Sequence, residues 1–228
     1  MKTTMMPRVF QPFDSKDFVR LGKDNDGGYL TIKEDILKTK KLISFGVNDD
    51  WSFEMDFMKI NECPIVAYDN SVNEQKFLEN KQLHESFLNF FSGNKIHIPK
   101  NIGNADTDDL IQFKTVIDNA GDGLFLKCDI EEYEYQFLDD LIPRASQFTG
   151  VVMEFHNINN SDNFNSLTNF ISKFDLKLVH LHCNNWAYFK MPDMSFRPDC
   201  LELTFTSSKV LYNSRLILPR QLDMPNNP

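Results

Sequence analysis

The feature that most constrains this chain is an alternation. Seven short apolar runs recur along 228 residues: 42–46 (LISFG), 64–69 (PIVAYD), 95–99 (KIHIP), 123–129 (GLFLKCD), 150–156 (GVVMEFH), 176–183 (LKLVHLHC) and 200–206 (CLELTFT). The first five are continuous in apolar character. A strand with one wet face must alternate apolar and polar residues, so unbroken runs of this length predict parallel strands covered on both faces. Between them lie stretches with helical spacing. Phe77, Leu78, Phe87, Leu88 and Phe91 share a face over 72–91, and Leu110, Phe113, Lys114 and Ile117 recur over 106–120, with Asp106 and Asp109 suited to its first turn. Leu167, Phe170, Ile171 and Phe174 form a stripe over 161–174, with Ser161 or Asp162 available as a cap.

Strand and helix in alternation predict an open, doubly wound α/β sheet. The last two runs are joined by a long segment without helical period (NNWAYFKMPDMSFRP), and such a two-strand ending predicts a final hairpin that forms an antiparallel edge of the sheet. The expected fold is α/β and Rossmann-like: a seven-stranded, mostly parallel sheet with an antiparallel last strand and helices on both faces. That is the outline of a class I methyltransferase, by fold analogy alone. One domain over 1–228 is expected, with 1–40 as an N-terminal segment and 221–228 (LDMPNNP from Leu222) as a tail that frays.

A formal net charge of −9 repels phosphate backbones, which argues against a nucleic-acid partner. No window approaches the about 20 apolar residues that cross a membrane. The N-terminal stretch MKTTMMPRVFQPF lacks the apolar core of a signal peptide, and Cys63, Cys128, Cys183 and Cys200 form no CxxC pair. A reduced, cytoplasmic protein is expected. The sequence does not indicate an oligomeric state.

In open α/β sheets ligands bind beyond the carboxyl ends of the strands. The first strand end, SFGVNDDWSFE, carries one glycine, Gly46, where the chain can turn sharply; this is not GxGxxG, so a dinucleotide is disfavoured. Asp69 ends the second strand, where a carboxylate can accept both hydroxyls of a ribose or, alternatively, cap the next helix. The third strand ends near Asn101, with Ile102 and Gly103 offered to a base. Asp129, Glu154, His156 and His182 stand at the ends of the fourth, fifth and sixth strands and are expected to converge at one rim. A histidine there can take a proton from a hydroxyl, and a carboxylate can orient it or hold a divalent ion. No spacing demands a metal.

The segments RLGKDNDGGYL (20–30), SFGVNDDWSFE (44–54), AYDNS (67–71), LKCDIEEYEYQFL (126–138), VVMEFH (151–156) and HCNNW…PDCLELTF (182–205) occur in this order, and together they resemble the FkbM-like family of S-adenosylmethionine-dependent methyltransferases. The resemblance implies O-methyl transfer to a small-molecule acceptor, such as a sugar, a nucleotide-sugar or a capsule or other surface-glycan precursor. By resemblance, Gly46, Asn48 and Ser52 lie around the methionine part of the cofactor. Asp69 holds the ribose with Asn70 beside it, and Asp129 stands near the reactive methyl. Arg20 and Tyr29 close over the cofactor, and His156 and His182 face the acceptor. One departure stands out: Glu132 occupies a position where the family pattern has glycine. Two other readings compete, a nucleotide-cofactor oxidoreductase or epimerase and a non-catalytic binding protein on the same fold. The first would want a glycine-rich first turn and a Tyr/Lys pair.

Overall fold

The computed structural model describes residues 6–191, 195–212, 216 and 218–227. Strands β1 (Phe18–Leu21) and β2 (Tyr29–Ile32) form an antiparallel N-terminal hairpin, followed by α1 (Lys33–Lys38). The wound body runs β3 (Lys41–Phe45), α2 (Ser52–Ile60), β4 (Ile65–Tyr68), α3 (Glu74–Glu79), α4 (Lys81–Phe90) and β5 (Lys95–Ile98). A small parallel pair, β6 (Asn101–Gly103) and β7 (Leu110–Gln112), precedes α5 (Phe113–Asp118). Then come β8 (Leu124–Cys128), α6 (Leu138–Leu141), β9 (Phe148–Phe155), α7 (Ser161–Lys173) and β10 (Lys177–Cys183). A hairpin of β11 (Tyr188–Lys190) and β12 (Phe196–Pro198) leads to β13 (Leu201–Thr206).

The main sheet has the order β10-β13-β9-β8-β3-β4-β5. Only β13 is antiparallel to its neighbours, and it is not the edge the sequence leads one to expect: it is inserted between β9 and β10, where it hydrogen-bonds on both sides and leaves β10 at the edge. This is the Rossmann-like arrangement of class I methyltransferases. All seven strands of this sheet coincide with the seven apolar runs. Their continuity has a direct cause, because successive residues feed cores on opposite faces. Ile43, Phe45, Leu124, Leu126, Val151 and Met153 enter one core; Leu42, Phe125 and Val152 enter the other. Each fully buried large side chain of this kind contributes about 1.5–3 kcal/mol through removal of apolar surface from water.

Several local expectations are corrected. The stretch 72–91 is two helices, because Asn80 is extended (φ −140°, ψ 93°) and its side chain accepts from Leu83 N to cap α4. Phe77, Phe87 and Phe91 pack on a small cluster of Val47, Ala67 and Val72, whereas Leu78 and Leu88 are exposed. In 106–120 only Phe113–Asp118 is helical, since 110–112 is drawn out to pair with β6. Asp106 still serves that helix start, accepting from Gln112 N and Thr115 Oγ1. The cap of α7 is Asn160, which accepts from both Asp162 N and Asn163 N. Residues 221–227, expected to fray, are tied down: Asn226 is buried and bonded to Glu202 and Asp26. Pro228 lies outside the described residues.

Candidate functional site

The reversal of strand order falls between β3 and β8, and a cleft of ≈ 600 Å³ opens beyond their carboxyl ends. Its floor is set by Gly46, which has φ +75° and whose missing Cβ would overlap the backbone carbonyl of Asp129. Only glycine lets these two strand ends come so close. One wall is Tyr68, Asp69, Asn101, Ile102 and Leu110; the opposite wall is Lys127, Asp129, Ile130, Glu131 and Tyr133. The loop of the N-terminal hairpin contributes Lys23, Asp26 and Gly27, and Lys23 pairs with Asp50 at 3.1 Å. Six carboxylates (Asp26, Asp49, Asp50, Asp69, Asp129, Glu131) line the cleft against two lysines, Lys23 and Lys127.

Asp69 is nearly buried. Its Oδ2 accepts from Val47 N and Asn48 N at 2.9 and 2.7 Å, and Oδ1 accepts from Ser71 N at 2.7 Å. Burial would raise its pKa, but the bonds from Ser71, Asn48 and Val47 outweigh it and hold the carboxyl below its ordinary value. Backbone N–H groups take three of its roughly four acceptor positions and the Ser71 side chain adds a further bond, so the carboxylate is held rigidly at the mouth of the cleft.

At the end of β8 and β9 a second group converges. Tyr29 Oη donates to Asp129 Oδ2 at 2.9 Å or Glu154 Oε2 at 3.0 Å. Its phenol is pushed well up, by burial first and then by those two acids. Glu154 also accepts from Asn184 Nδ2 and Cys200 Sγ, and burial followed by the charge of Asp129 raises its pKa. His156 Nδ1 lies 3.0 Å from Glu134 Oε1, which also takes the His156 backbone N–H. Burial opposes the imidazolium, but the Glu134 bond and the charges of Glu134, Glu154 and Asp129 prevail and bring His156 to about 10. Two donor sets lie within 4.8 Å of one another: Asp129, Glu131 and His156, and Glu154, His156 and Cys200.

The expected site residues thus divide. Gly46, Asn48, Asp69, Asn101 and Asp129 line the cleft, and Tyr29, Glu154 and His156 meet Asp129 at one end of it. Asn70 acts from behind, donating its backbone N–H to Asn101 Oδ1. Ser52 opens α2 and does not line the cleft; its N–H goes to Asp50. Arg20 does not close over the cleft. Its guanidinium donates to the carbonyls of Lys23, Asp24 and Asn25 and so shapes the hairpin loop. A Cβ on Gly28 would overlap both this guanidinium and the Lys23 carbonyl, which accounts for the second glycine of DGGY. His182 does not join His156. Because β13 intervenes, Glu202 stands in register between Glu154 and His182. The His182 ring instead meets Asn226 and Asp223 beside a separate cavity of ≈ 980 Å³.

Three residues escaped the sequence reading. Lys127 is almost wholly buried, donates to the Gly46 carbonyl and lies 4.0 Å from Asp129. Burial pulls its pKa down, yet Asp129 and Glu54 hold it above the ordinary lysine value. A lysine inside an otherwise apolar run was the visible signal. Glu54 and Glu134, both fully buried, had none.

No protein-family model matches the chain, and no curated protein matches it in sequence. Among solved structures it is similar to the precorrin-6y C5,15-methyltransferase of Geobacter metallireducens (10% identity, 78% of this chain and 85% of that one, TM-score 0.43). It is similar also to an rRNA methylase of Streptococcus thermophilus (6%, 76% and 93%, 0.43) and to the fibrillarin pre-rRNA processing protein of Methanococcus jannaschii (11%, 90% and 86%, 0.41). Likenesses of this extent carry no argument about function.

Proposed function

We propose that the chain is an S-adenosylmethionine-dependent O-methyltransferase of the FkbM-like kind, acting on a small hydroxyl- or phosphate-bearing acceptor such as a sugar, a nucleotide-sugar or a surface-glycan precursor. The observation that carries this reading is the charge of the cleft, with six acids to two lysines contributed by the carboxyl ends of β3, β4 and β8 and by the loop of the N-terminal hairpin. Such a lining favours a cofactor bearing a sulfonium and an ammonium group. Asp69 at the end of β4 suits a ribose hydroxyl that shares its carboxylate with the Ser71 side chain, Ile102 and Leu110 suit a base, and Asp129 suits the neighbourhood of the sulfonium.

Bound there, the cofactor supplies an electrophilic methyl group. The protein's own task is then positioning: an acceptor oxygen must lie in line with the methyl and the departing sulfur. Asp129, held by Tyr29, and His156, held by Glu134, are the fixed groups on that side. In the ligand-free cleft His156 carries its proton near neutral pH. A neighbouring sulfonium disfavours the imidazolium, so the neutral state required of a base belongs to the loaded site.

Thermal unfolding with S-adenosylhomocysteine and, separately, with NAD tests the reading. The homocysteine compound at about 100 times its Kd is expected to stabilise by about 2.7 kcal/mol, a rise of several degrees, and NAD to do nothing. Asp69→Ala is expected to abolish the shift. A shift with NAD and none with S-adenosylhomocysteine would overturn the assignment. Labelled S-adenosylmethionine offered with sugar, nucleotide-sugar and phosphate-bearing acceptors then identifies the acceptor.

A further inference from the structure

We propose that Asp129, Glu131 and His156 form a binding site for one divalent cation of the Mn²⁺ type at the end of the cleft. The argument starts from His156 Nε2. Three carboxylate oxygens surround it: Glu131 Oε2 at 3.6 Å, Asp129 Oδ1 at 3.8 Å and Glu154 Oε1 at 3.9 Å. All three are beyond hydrogen-bond reach. Two donors each about 2.1–2.2 Å from a shared octahedral ion stand about 3.0 Å apart when cis and about 4.3 Å when trans, so donors 3.6–3.9 Å apart lie within about an ångström of ligating positions. The spacing therefore matches donors around an ion better than donors bonded to each other.

The ring is also held as a metal ligand is held. Glu134 Oε1 takes Nδ1–H at 3.0 Å and the backbone N–H at 2.7 Å, which turns Nε2 toward the three oxygens. A carboxylate behind a ligating imidazole is the usual support for such a ligand. Glu134 is wholly buried, and its Oε2 has no hydrogen-bond partner among the described residues. This is a costly carboxylate to bury, and its one described role is to hold the His156 ring with Nε2 facing the three acids.

The ligand set can be narrowed. Tyr29 occupies Asp129 Oδ2 and leaves Oδ1 toward the gap. Glu154 Oε1 is already engaged by Asn184 and Cys200, so Glu154 adds charge rather than a ligand. One imidazole and two carboxylates without thiolate suit Mn²⁺ or Mg²⁺, with open positions for water or acceptor oxygens. The site stands without reference to methyl transfer; with Nδ1 on Glu134 and Nε2 on the ion His156 cannot also take a proton, so the base role belongs to the ion-free ring, and only the ion's use to hold the acceptor rests on that function.

Isothermal titration of the chelator-treated chain with MnCl₂, and Mn²⁺ paramagnetic resonance, test this. One ion per chain is expected, with a Kd at or below about 100 μM. Glu131→Gln and His156→Gln are expected to weaken binding at least about tenfold, and Glu134→Gln about 10-fold through loss of ring support. Glu131 is exposed, so its variant should keep the wild-type melting curve and report binding alone. Absence of saturable Mn²⁺ or Mg²⁺ binding by the wild type, or unchanged binding by Glu131→Gln, overturns the site. A chain that binds S-adenosylhomocysteine but no ion sinks this inference only. A chain that binds the ion but not S-adenosylhomocysteine keeps the site and sinks the methyltransferase reading.

Discussion

Glu132 shows what a single residue can conceal. In the sequence it is one acid among several after β8, and the expected reading of Glu131 and Glu132 is the first turn of a helix, where negative charge is favourable. The structure instead gives both a left-handed backbone, with φ +53° and +77°, and a 3-10 helix begins only at Tyr133. The resemblance places glycine at 132, and the backbone explains why glycine would suit it. A non-glycine residue in this conformation costs about 1–2 kcal/mol, while glycine adds about 0.5–1 kcal/mol of chain entropy to the unfolded state. Glu132→Gly is therefore expected to stabilise the fold by about 0.5–1 kcal/mol, seen as a higher urea midpoint at unchanged slope. A lower midpoint would show that the exposed Glu132 side chain contributes more than its strain costs. Lys127 makes the converse point. Its buried bond to the Gly46 carbonyl reaches 81 residues back along the chain, across the pairing of β3 with β8, which local pattern does not encode.

At the scale of elements, the central strands β3, β4, β8 and β9 were legible because they are apolar on both faces, and a continuous apolar run is a signal that survives without tertiary context; β5, β10 and β13 were legible from the alternation of apolar and polar residues. The elements that were misread depend on partners distant in sequence or on one capping residue: β7 exists only because β6 pairs with it, and α3 and α4 separate at Asn80. The C-terminal strap was the least legible. Its composition reads as a frayed tail, yet its polar side chains complete buried charges. Asn226 Nδ2 donates to Glu202 Oε1 at 2.6 Å and to Asp26 Oδ1 at 3.0 Å, and its Oδ1 lies 2.9 Å from His182 Nε2. Asn25 and Asn185 bond to Pro225 and Asn227 on either side. Asp26 belongs to the loop that walls the cleft, so the strap connects the sheet edge to the candidate site. Asn226→Ala leaves the buried Glu202 short of a donor and is expected to cost about 1–3 kcal/mol, by urea unfolding. A truly frayed tail would give a change within about 0.5 kcal/mol.

For the whole molecule the decisive quantity is how many acids have been taken out of water. Asp35 is pushed up to about 6 and Glu202 to about 8, both first by burial; Glu54 and Glu154 are raised by burial as well. His156 is raised to about 10. For every one of these groups the folded state holds its proton over a range where the unfolded chain has released it. Folding then binds protons, and stability falls as pH rises from about 4 through the folded values. For His156 the contribution is complete below about 6.5 and lost toward 10. Asp69 and Asp223 act oppositely: partners hold both below their ordinary values, so their stabilisation is present above about 4 and lost in acid. The formal charge of −9 adds self-repulsion at neutral pH and above. His97 and His180, both lowered first by burial, add stability as pH rises toward about 6.5, but the raised acids and His156 outnumber them, so the maximum of stability of the ligand-free, chelator-treated chain is expected on the acid side of neutrality. Urea unfolding from pH 4 to 9 is expected to show a decline of a few kcal/mol above that maximum. Glu202→Gln, which keeps an acceptor for Asn226 and removes the buried titration, is expected to flatten the part between about pH 4.5 and 8. A maximum at pH 8 or above, or a Glu202→Gln profile parallel to wild type, would mean that the buried acids ionise in the fold and find their counter-charge there, with Lys127 as the first group to examine.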